Sequence, residues 1–205
     1  CEAVFDYFLT NYEIEIDCES RGKTALYYAA LLKLPSIVRK LIDKGADAIL
    51  VLENFLRDDI DKDSIEILVS EVDSAKRNKQ GKNAFYIVAE HYLKKGNAPE
   101  DMPMLELLKS KESEESVLAN CRLALKGDNL EDNLKLLQVI LDNTNHDFRK
   151  KVMADLFDEI NSGEFRKANS ESADLMLDKL VDIVEAYESV AERSLSSAPE
   201  ESAES

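Results

Sequence analysis

The sequence predicts an all-α protein in which short paired helices stack and are followed by a region of longer helices. Three observations predict it. Apolar residues recur at helical rather than strand spacing through almost all of the 205 residues. Gly and Pro number only 6 and 4, too few for the turns of an all-β sandwich. A nine-residue segment beginning at Gly22 occurs again at Gly81, and such self-similarity marks a repeat architecture.

The elements follow in order. Val4, Phe5, Phe8 and Leu9 form a first apolar stripe. Leu26, Ala29 and Ala30 form a second, and Ile37, Val38, Leu41 and Ile42 a third, on two short helices joined at Leu34-Pro35-Ser36. Pro35 suits a first helical turn, where its missing N–H costs nothing. Gly45 follows the last periodic residue, where a helix turns left-handed. Two helices are expected at about 49–57 (Ile49, Leu52, Leu56) and 64–72 (Ile65, Leu68, Val69, Val72). The polar stretch Asp73 to Lys82 precedes a helix with Ala84, Phe85, Val88, Ala89 and Tyr92, which Lys95-Gly96-Asn97 ends. A loop from Asn97 to Pro103 leads to a helix with Met104, Leu105, Leu107 and Leu108.

Four longer amphipathic helices are expected beyond. They lie at about 114–126, 130–142, 146–161 and 171–192. Gly127-Asp128-Asn129 stops the first and caps the second, and Asn161-Ser162-Gly163 ends the third. In the fourth, Leu177, Val181 and Ile183 widen the stripe of Met176, Leu180, Val184 and Tyr187, which suggests burial against two neighbours. The Ser-, Ala- and Glu-rich end, 194–205, lacks the apolar area to offset ordering and is expected to be a disordered tail.

The formal net charge is −16. Residues 1–111 hold 16 basic and 20 acidic side chains, whereas 112–205 hold 10 and 22, so the excess lies in the C-terminal half. An acidic balance disfavours nucleic acid and anionic membrane as partners, since both need surplus Lys and Arg. No apolar run approaches the roughly 18–20 residues that span a bilayer. Cys1, Cys18 and Cys121 are scattered and odd in number, neither a disulfide framework nor a zinc pattern. They read as reduced, small apolar residues of an intracellular, most simply cytoplasmic, protein.

Gly22-Lys23-Thr24-Ala25-Leu26-Tyr27-Tyr28-Ala29-Ala30 recurs as Gly81-Lys82-Asn83-Ala84-Phe85-Tyr86-Ile87-Val88-Ala89, with five of nine positions identical. A turn Gly, a small polar capping residue and an apolar face make a sound helix start. Here the chain resembles the ankyrin-repeat family. Gly22, Thr24, Ala25, Leu26, Tyr27, Ala29 and Ala30, then Ile37, Val38, Leu41, Ile42, Gly45, Ala46 and Asp47, look like that family's G-x-T-P-L-H-x-A-A … I-V-x-x-L-L-x-x-G-A-D. The chain departs from it at Ala25 for Pro, Tyr27 for His and Lys33 for Gly. The two copies stand 59 residues apart, against about 66 for two ankyrin periods. The resemblance covers about 1–110, with an incomplete first repeat and a degenerate third, and is specific at 19–47 and 78–92. It divides the chain into ankyrin-like repeats at 1–111, a helical domain or cap at 112–193 and the tail.

The resemblance implies binding of a protein partner by the projecting loops and the concave face of the inner helices. Carried over, the contacts are Ser20, Arg21, Lys23, Leu31 and Leu32 in the better repeat. In the later one they are Arg77, Lys79, Gln80, Lys82, Glu90 and His91. The plain alternatives are a solvated loop and, for Leu31 and Leu32, packing against the next repeat.

Other chemistry is thin. Asp59-Ile60-Asp61-Lys62-Asp63 is metal-like, but Ser64 and Ser70 stand where a calcium loop needs Gly and Glu; the plain reading is a turn in which Asp63 caps the next helix. Of the only two histidines, His91 lacks a ligand-spaced partner, and His146 has Asp142 four residues before it but across Asn143-Thr144-Asn145, which reads as a turn, so His146 reads as a solvated helix start. A Cys121–His146 pair is conceivable, yet Cys121 lies on an apolar stripe. No phosphate loop, G-x-S-x-G or H-E-x-x-H occurs, and no cofactor or metal is expected. The expectation is a protein-binding scaffold rather than an enzyme. Two alternatives are a regulatory piece of a larger membrane or multidomain protein, and an enzyme using the carboxylates of 112–193.

Overall fold

The computed structural model describes residues 2–58, 60–96, 102–126, 129–142, 144–168 and 173–196. Among them every regular element is a helix, and the only β pairing is an isolated bridge between Ser20 and Lys23. The chain is all-α, as its periodicity predicts. It divides into two compact units, 1–116 and 117–205.

The first unit contains α1 (Glu2–Asn11), α2 (Ala25–Leu31), α3 (Pro35–Asp43), α4 (Ala48–Arg57), α5 (Lys62–Glu71), α6 (Ala84–Lys94) and α7 (Met102–Lys109). Successive helices α2–α3, α4–α5 and α6–α7 pack as pairs. The pairs also pack on each other, α2 on α4 and α4 on α6 in one row, α3 on α5 and α5 on α7 in the other. The core between the rows is continuous: Leu26, Val38, Leu41, Leu52, Phe55, Leu68, Val69, Val88 and Leu108 are all fully or almost fully buried.

Local chemistry sets the helix starts. The Thr24 hydroxyl accepts from the Tyr27 N–H, and the Asn83 side-chain carbonyl from the Tyr86 N–H at 2.9 Å, so the repeated segment uses the same cap twice. Asp47 caps α4 through the N–H groups of Ile49 and Leu50. The cap of α5 is Asp61, two residues earlier than expected; its carboxylate accepts from the Ser64 N–H and hydroxyl, which lets α5 begin at Lys62 and leaves Asp63 in the first turn. Pro103 lies within the first turn of α7 rather than in the preceding loop, as a residue without an N–H can. Residues 97–101 of that loop lie outside the described residues.

The expected first stripe is split. Phe5 and Leu9 are half-buried, whereas Val4 and Phe8 are 60% and 49% exposed. Lys33, in the place of the family's Gly, has φ 56, the left-handed conformation that Gly adopts without strain. Arg21 has φ 56 and Gly22 φ 73, both left-handed, in the tight turn closed by Ser20 N–H to Lys23 O at 2.9 Å. Asn-Gly suits two consecutive left-handed positions better than Arg-Gly. Arg21→Asn is therefore expected to stabilise the chain by up to about 1 kcal/mol, since Asn is enriched several-fold in that region. A thermal melt followed by circular dichroism checks this as a small rise in Tm.

The second unit holds most of α8 (Glu114–Ala124), with α9 (Leu130–Leu141), α10 (His146–Asn161), α11 (Gly163–Ala168) and α12 (Ala173–Ser196). Its core is made by Cys121, Leu125, Leu137, Ile140, Leu156, Ile160, Met176 and Leu180. The α12 helix does pack on two neighbours, α9 and α10. Its buried stripe is nevertheless narrow: Leu177, Ile183 and Val184 are half-buried and Val181 is 42% exposed. Two further expectations change. Gly163 opens α11 instead of closing α10, because the Ser162 hydroxyl accepts from the Phe165 N–H. The last helix runs on through 194–196, so the expected tail begins later; residues 197–205 lie outside the described residues.

Candidate functional site

In the row formed by α2, α4 and α6, α6 buries six successive residues, Ala84 to Ala89, whereas α2 and α4 each leave one side exposed. On α2, Leu26, Tyr27, Ala29 and Ala30 are buried, which leaves Ala25, Tyr28 and Leu32 outward at spacings of three and four. On α4 the same alternation leaves Leu50 and Arg57 outward, with Glu53 and Asn54 half-buried. These side chains lie outward on, or just after, two helices that pack on each other. Leu32 is 66% exposed, Tyr28 38% and Leu50 37%. Leu31, expected beside Leu32 on this face, is half-buried instead. Tyr28, Leu50 and Arg57 were not singled out by the sequence reading, although their spacing from buried neighbours carries the signal.

Two hairpins flank the row. Ser20 and Arg21 are exposed at the first tip, and Tyr28 Oη lies 3.5 Å from the Ser20 carbonyl oxygen. The second tip spans Asn78 to Lys82. Its Asn78 side chain accepts from the Gln80 and Lys82 N–H groups at 2.9 Å and donates to Glu53 on α4 at 2.6 Å, which fastens the hairpin to the row. Lys79 and Gln80 are exposed at this tip.

The structure corrects the expected role of Arg77. Its guanidinium turns inward, donating to the Gly81 carbonyl at 2.8 Å and to the carbonyl and hydroxyl of Ser116 at 3.2 and 3.1 Å. It is a strut between the hairpin and the chain that follows α7. A cation satisfied by three oxygens is poorly placed to meet a partner.

Three other candidates are engaged in pairs. Lys23 binds Asp58 and stands 4.2 Å above the Tyr27 ring. That contact raises the Lys23 pKa and lowers the Asp58 pKa, chiefly through the hydrogen bond between them. Lys82 sits in the equivalent place over Tyr86, at 5.5 Å, but takes its carboxylate from Glu90 at 2.7 Å. For Glu90 burial acts upward, yet Lys82 and Lys94 outweigh it, and the carboxyl is held below its usual range. Burial pushes the Tyr86 hydroxyl up to about 12. His91 is half-buried on α6.

The acidic string at 59–63 has a structural role where it is described. Asp61 caps α5 and lies 3.2 Å from Lys33, which also pairs with Asp63 at 2.7 Å. Among the described residues no three His, Cys, Asp or Glu side chains converge to hold a metal ion. Cys121 is fully buried, and burial pushes its thiol up to about 12, far from a thiolate at neutral pH. The side chain of His146 lies outside the described residues. Cys18 is free, in keeping with a reduced thiol, and exposed, and Cys1 lies outside the described residues. Some carboxylates of the second unit are used in surface pairs, such as Glu159 with Arg122 at 2.9 Å and Asp182 with Lys179 at 2.9 Å.

A groove of about 310 Å³ lies between α10 and α12, with Met153, Phe157 and Val184 in its wall. Arg149 at its edge stacks on Tyr187 at 3.7 Å and donates to the Thr144 carbonyl, while the Tyr187 hydroxyl donates to Asp142 at 2.7 Å. These bonds fix the groove's polar end internally. No described helix is long and apolar enough to cross a membrane. No family model, curated protein or solved structure matches the chain.

Proposed function

We propose that this chain is a protein-binding module of the ankyrin type that holds a partner protein rather than catalysing a reaction. The partner lies against the outward face of α2 and α4 and the hairpin tips at Ser20–Arg21 and Lys79–Gln80. One observation carries the reading: Tyr28, Leu32 and Leu50 lie outward on adjacent helices whose opposite sides already fill the core. Side chains that the core does not need, gathered on one face, make an apolar contact surface. Arg57 on the same face adds a cation suited to planar polar contacts. The twice-used cap and hairpin support the ankyrin assignment, because they hold the tips in register with the row.

The test is capture of partners on the immobilised chain, comparing wild type with Leu32→Glu/Arg57→Glu and with Lys151→Glu, an exposed position of the second unit, as a control. The expected result is a defined set of proteins retained by wild type and control and reduced at least tenfold by the double variant, with unchanged thermal melts. Equal retention by all three would remove this face from the function.

A further inference from the structure

The second unit carries a cleft that the proposed binding face does not use. The groove between α10 and α12 has a volume of about 310 Å³, at the small end of the range that holds small-molecule ligands. Met153, Ala154, Phe157 and Val184 give it an apolar wall. Met153 is 3% exposed, and Phe157 and Val184 are half-buried, so a guest on this wall leaves water for apolar surroundings. A thioether beside an aromatic ring adapts to guests of irregular shape.

One end of the groove is charged, and the charge is held in place. Arg149 is half-buried, with its guanidinium 3.7 Å from the centre of the Tyr187 ring. Its Nε and Nη2 donate to the hydroxyl and carbonyl of Thr144, at 3.4 and 2.8 Å. A guanidinium has more N–H donors than these two bonds use. Among the described residues Nη1 has no acceptor, and no carboxylate pairs with Arg149. Glu188 is the one acidic side chain of the lining, and Lys150 pairs with it at 3.6 Å. The lining is therefore net positive, within a half of the chain, 112–205, that holds 10 basic and 22 acidic side chains. A cation fixed by a backbone carbonyl and an aromatic ring, with no carboxylate to neutralise it, has the form of a preorganised anion receptor.

We propose that this groove binds a small carboxylic acid with an apolar body, as its anion. The body lies against Met153, Phe157 and Val184, and the carboxylate accepts from Nη1 of Arg149. Charge complementarity selects the head group, and the wall selects the tail. A neutral alcohol of the same length keeps the tail contacts and loses the charge-assisted bond, which is about twice as strong as a neutral one. The acidic balance of this half of the chain repels anions at a distance. Physiological salt screens that repulsion beyond about 8 Å, and the bond to Arg149 is made well inside that range.

The probe is decanoate below its micelle concentration, titrated into the full chain by calorimetry, with decanol and acetate as comparisons. The expected result is one saturable site for decanoate, with binding weaker by about tenfold or more for decanol, which lacks the charge, and for acetate, which lacks the tail. Arg149→Gln should weaken decanoate by about tenfold and leave decanol unchanged. That variant also gives up the bonds to Thr144, so a second one is needed. Ala154 is exposed on the groove wall, and Ala154→Met puts a longer side chain into the cleft without touching the core. It should weaken decanoate and decanol alike. Matching thermal melts are the control for folding. Equal affinity for decanoate and decanol would overturn the proposal, because the guanidinium then selects nothing. So would saturable decanoate binding that neither variant changes, which places the site elsewhere, or no saturable binding at all. A dimer seen by sedimentation and abolished by Ala154→Met would also overturn it, assigning the groove to a second copy of the chain.

Discussion

Asn83→Ala is expected to destabilise the first unit by about 2–4 kcal/mol, combining the loss of a helix cap with buried acceptors left unpaired. Asn83 is fully buried. Its carbonyl oxygen caps α6 through the Tyr86 N–H. Its amide nitrogen faces the Ser74 carbonyl at 3.1 Å, both Glu112 oxygens at 2.8 and 3.0 Å, and the Ser116 hydroxyl at 3.1 Å. An amide has only two hydrogens to share among these acceptors, and the Ser116 hydroxyl is also held by Arg77. Thr24 occupies the equivalent place in the first copy and caps α2 without such a cluster. The three substitutions Asn83→Thr, →Ala and →Asp then separate the two roles. Thr keeps the cap and loses the amide, and falls between wild type and Ala. Asp keeps the cap but sets a carboxylate against Glu112, and is the worst at neutral pH. That pair would titrate above the usual carboxylate range when folded, so its penalty should shrink as pH falls and grow as pH rises. Urea denaturation at pH 5 and pH 7.5, followed by circular dichroism, checks both the order and the sign.

Phe55→Ala should cost about 3–5 kcal/mol, the range for deleting a buried aromatic ring. Phe55 is 0% exposed, and its ring meets that of Tyr27 edge-to-face with centroids 4.8 Å apart. The pair joins α4 to α2, so the cavity falls on the contact between successive helix pairs rather than within one. In a stack stabilised by nearest-neighbour contacts, such a change weakens one interface selectively. Backbone amides of α2 and α3 should therefore exchange with deuterium faster than those of α6 and α7. Uniform acceleration across the unit would show that it unfolds as a single block instead. Phe55→Leu, which keeps most of the volume, should cost less than half as much.

Which parts of the fold were legible depends on the range of the interaction. Helix starts at Thr24, Asn83 and Asn129 could be read directly, because a cap involves residues two or three apart. The cap of α5 is two residues earlier than expected because Asp61 and Asp63 are chemically alike; the Ser64 hydroxyl that favours Asp61 is only three residues away, a local preference that the acidic run hides. The candidate site was legible only in part. Lys79, Gln80, Arg21 and Leu32 are exposed as expected, whereas Arg77 is drawn inward by Ser116, 39 positions away. Nothing in the polar run around Arg77 distinguishes it from Lys79, and only the path of the chain after α7 does so.

The sequence by itself determined the helical class, the repeated cap-and-turn segment, and a charge polarity with most of the −16 beyond residue 111. These follow from properties that act within a turn or two: apolar spacing, side-chain caps and the freedom of glycine at Gly22 and Gly81. The tertiary structure decided which faces are covered. It buried Phe55 and left Phe8 out, paired Lys23 with Asp58 from 35 positions away, and left Tyr28, Leu32 and Leu50 exposed. The reason is that burial and ion pairing depend on chain segments brought together by packing, and the local periodicity of a helix defines an apolar side without saying what lies against it.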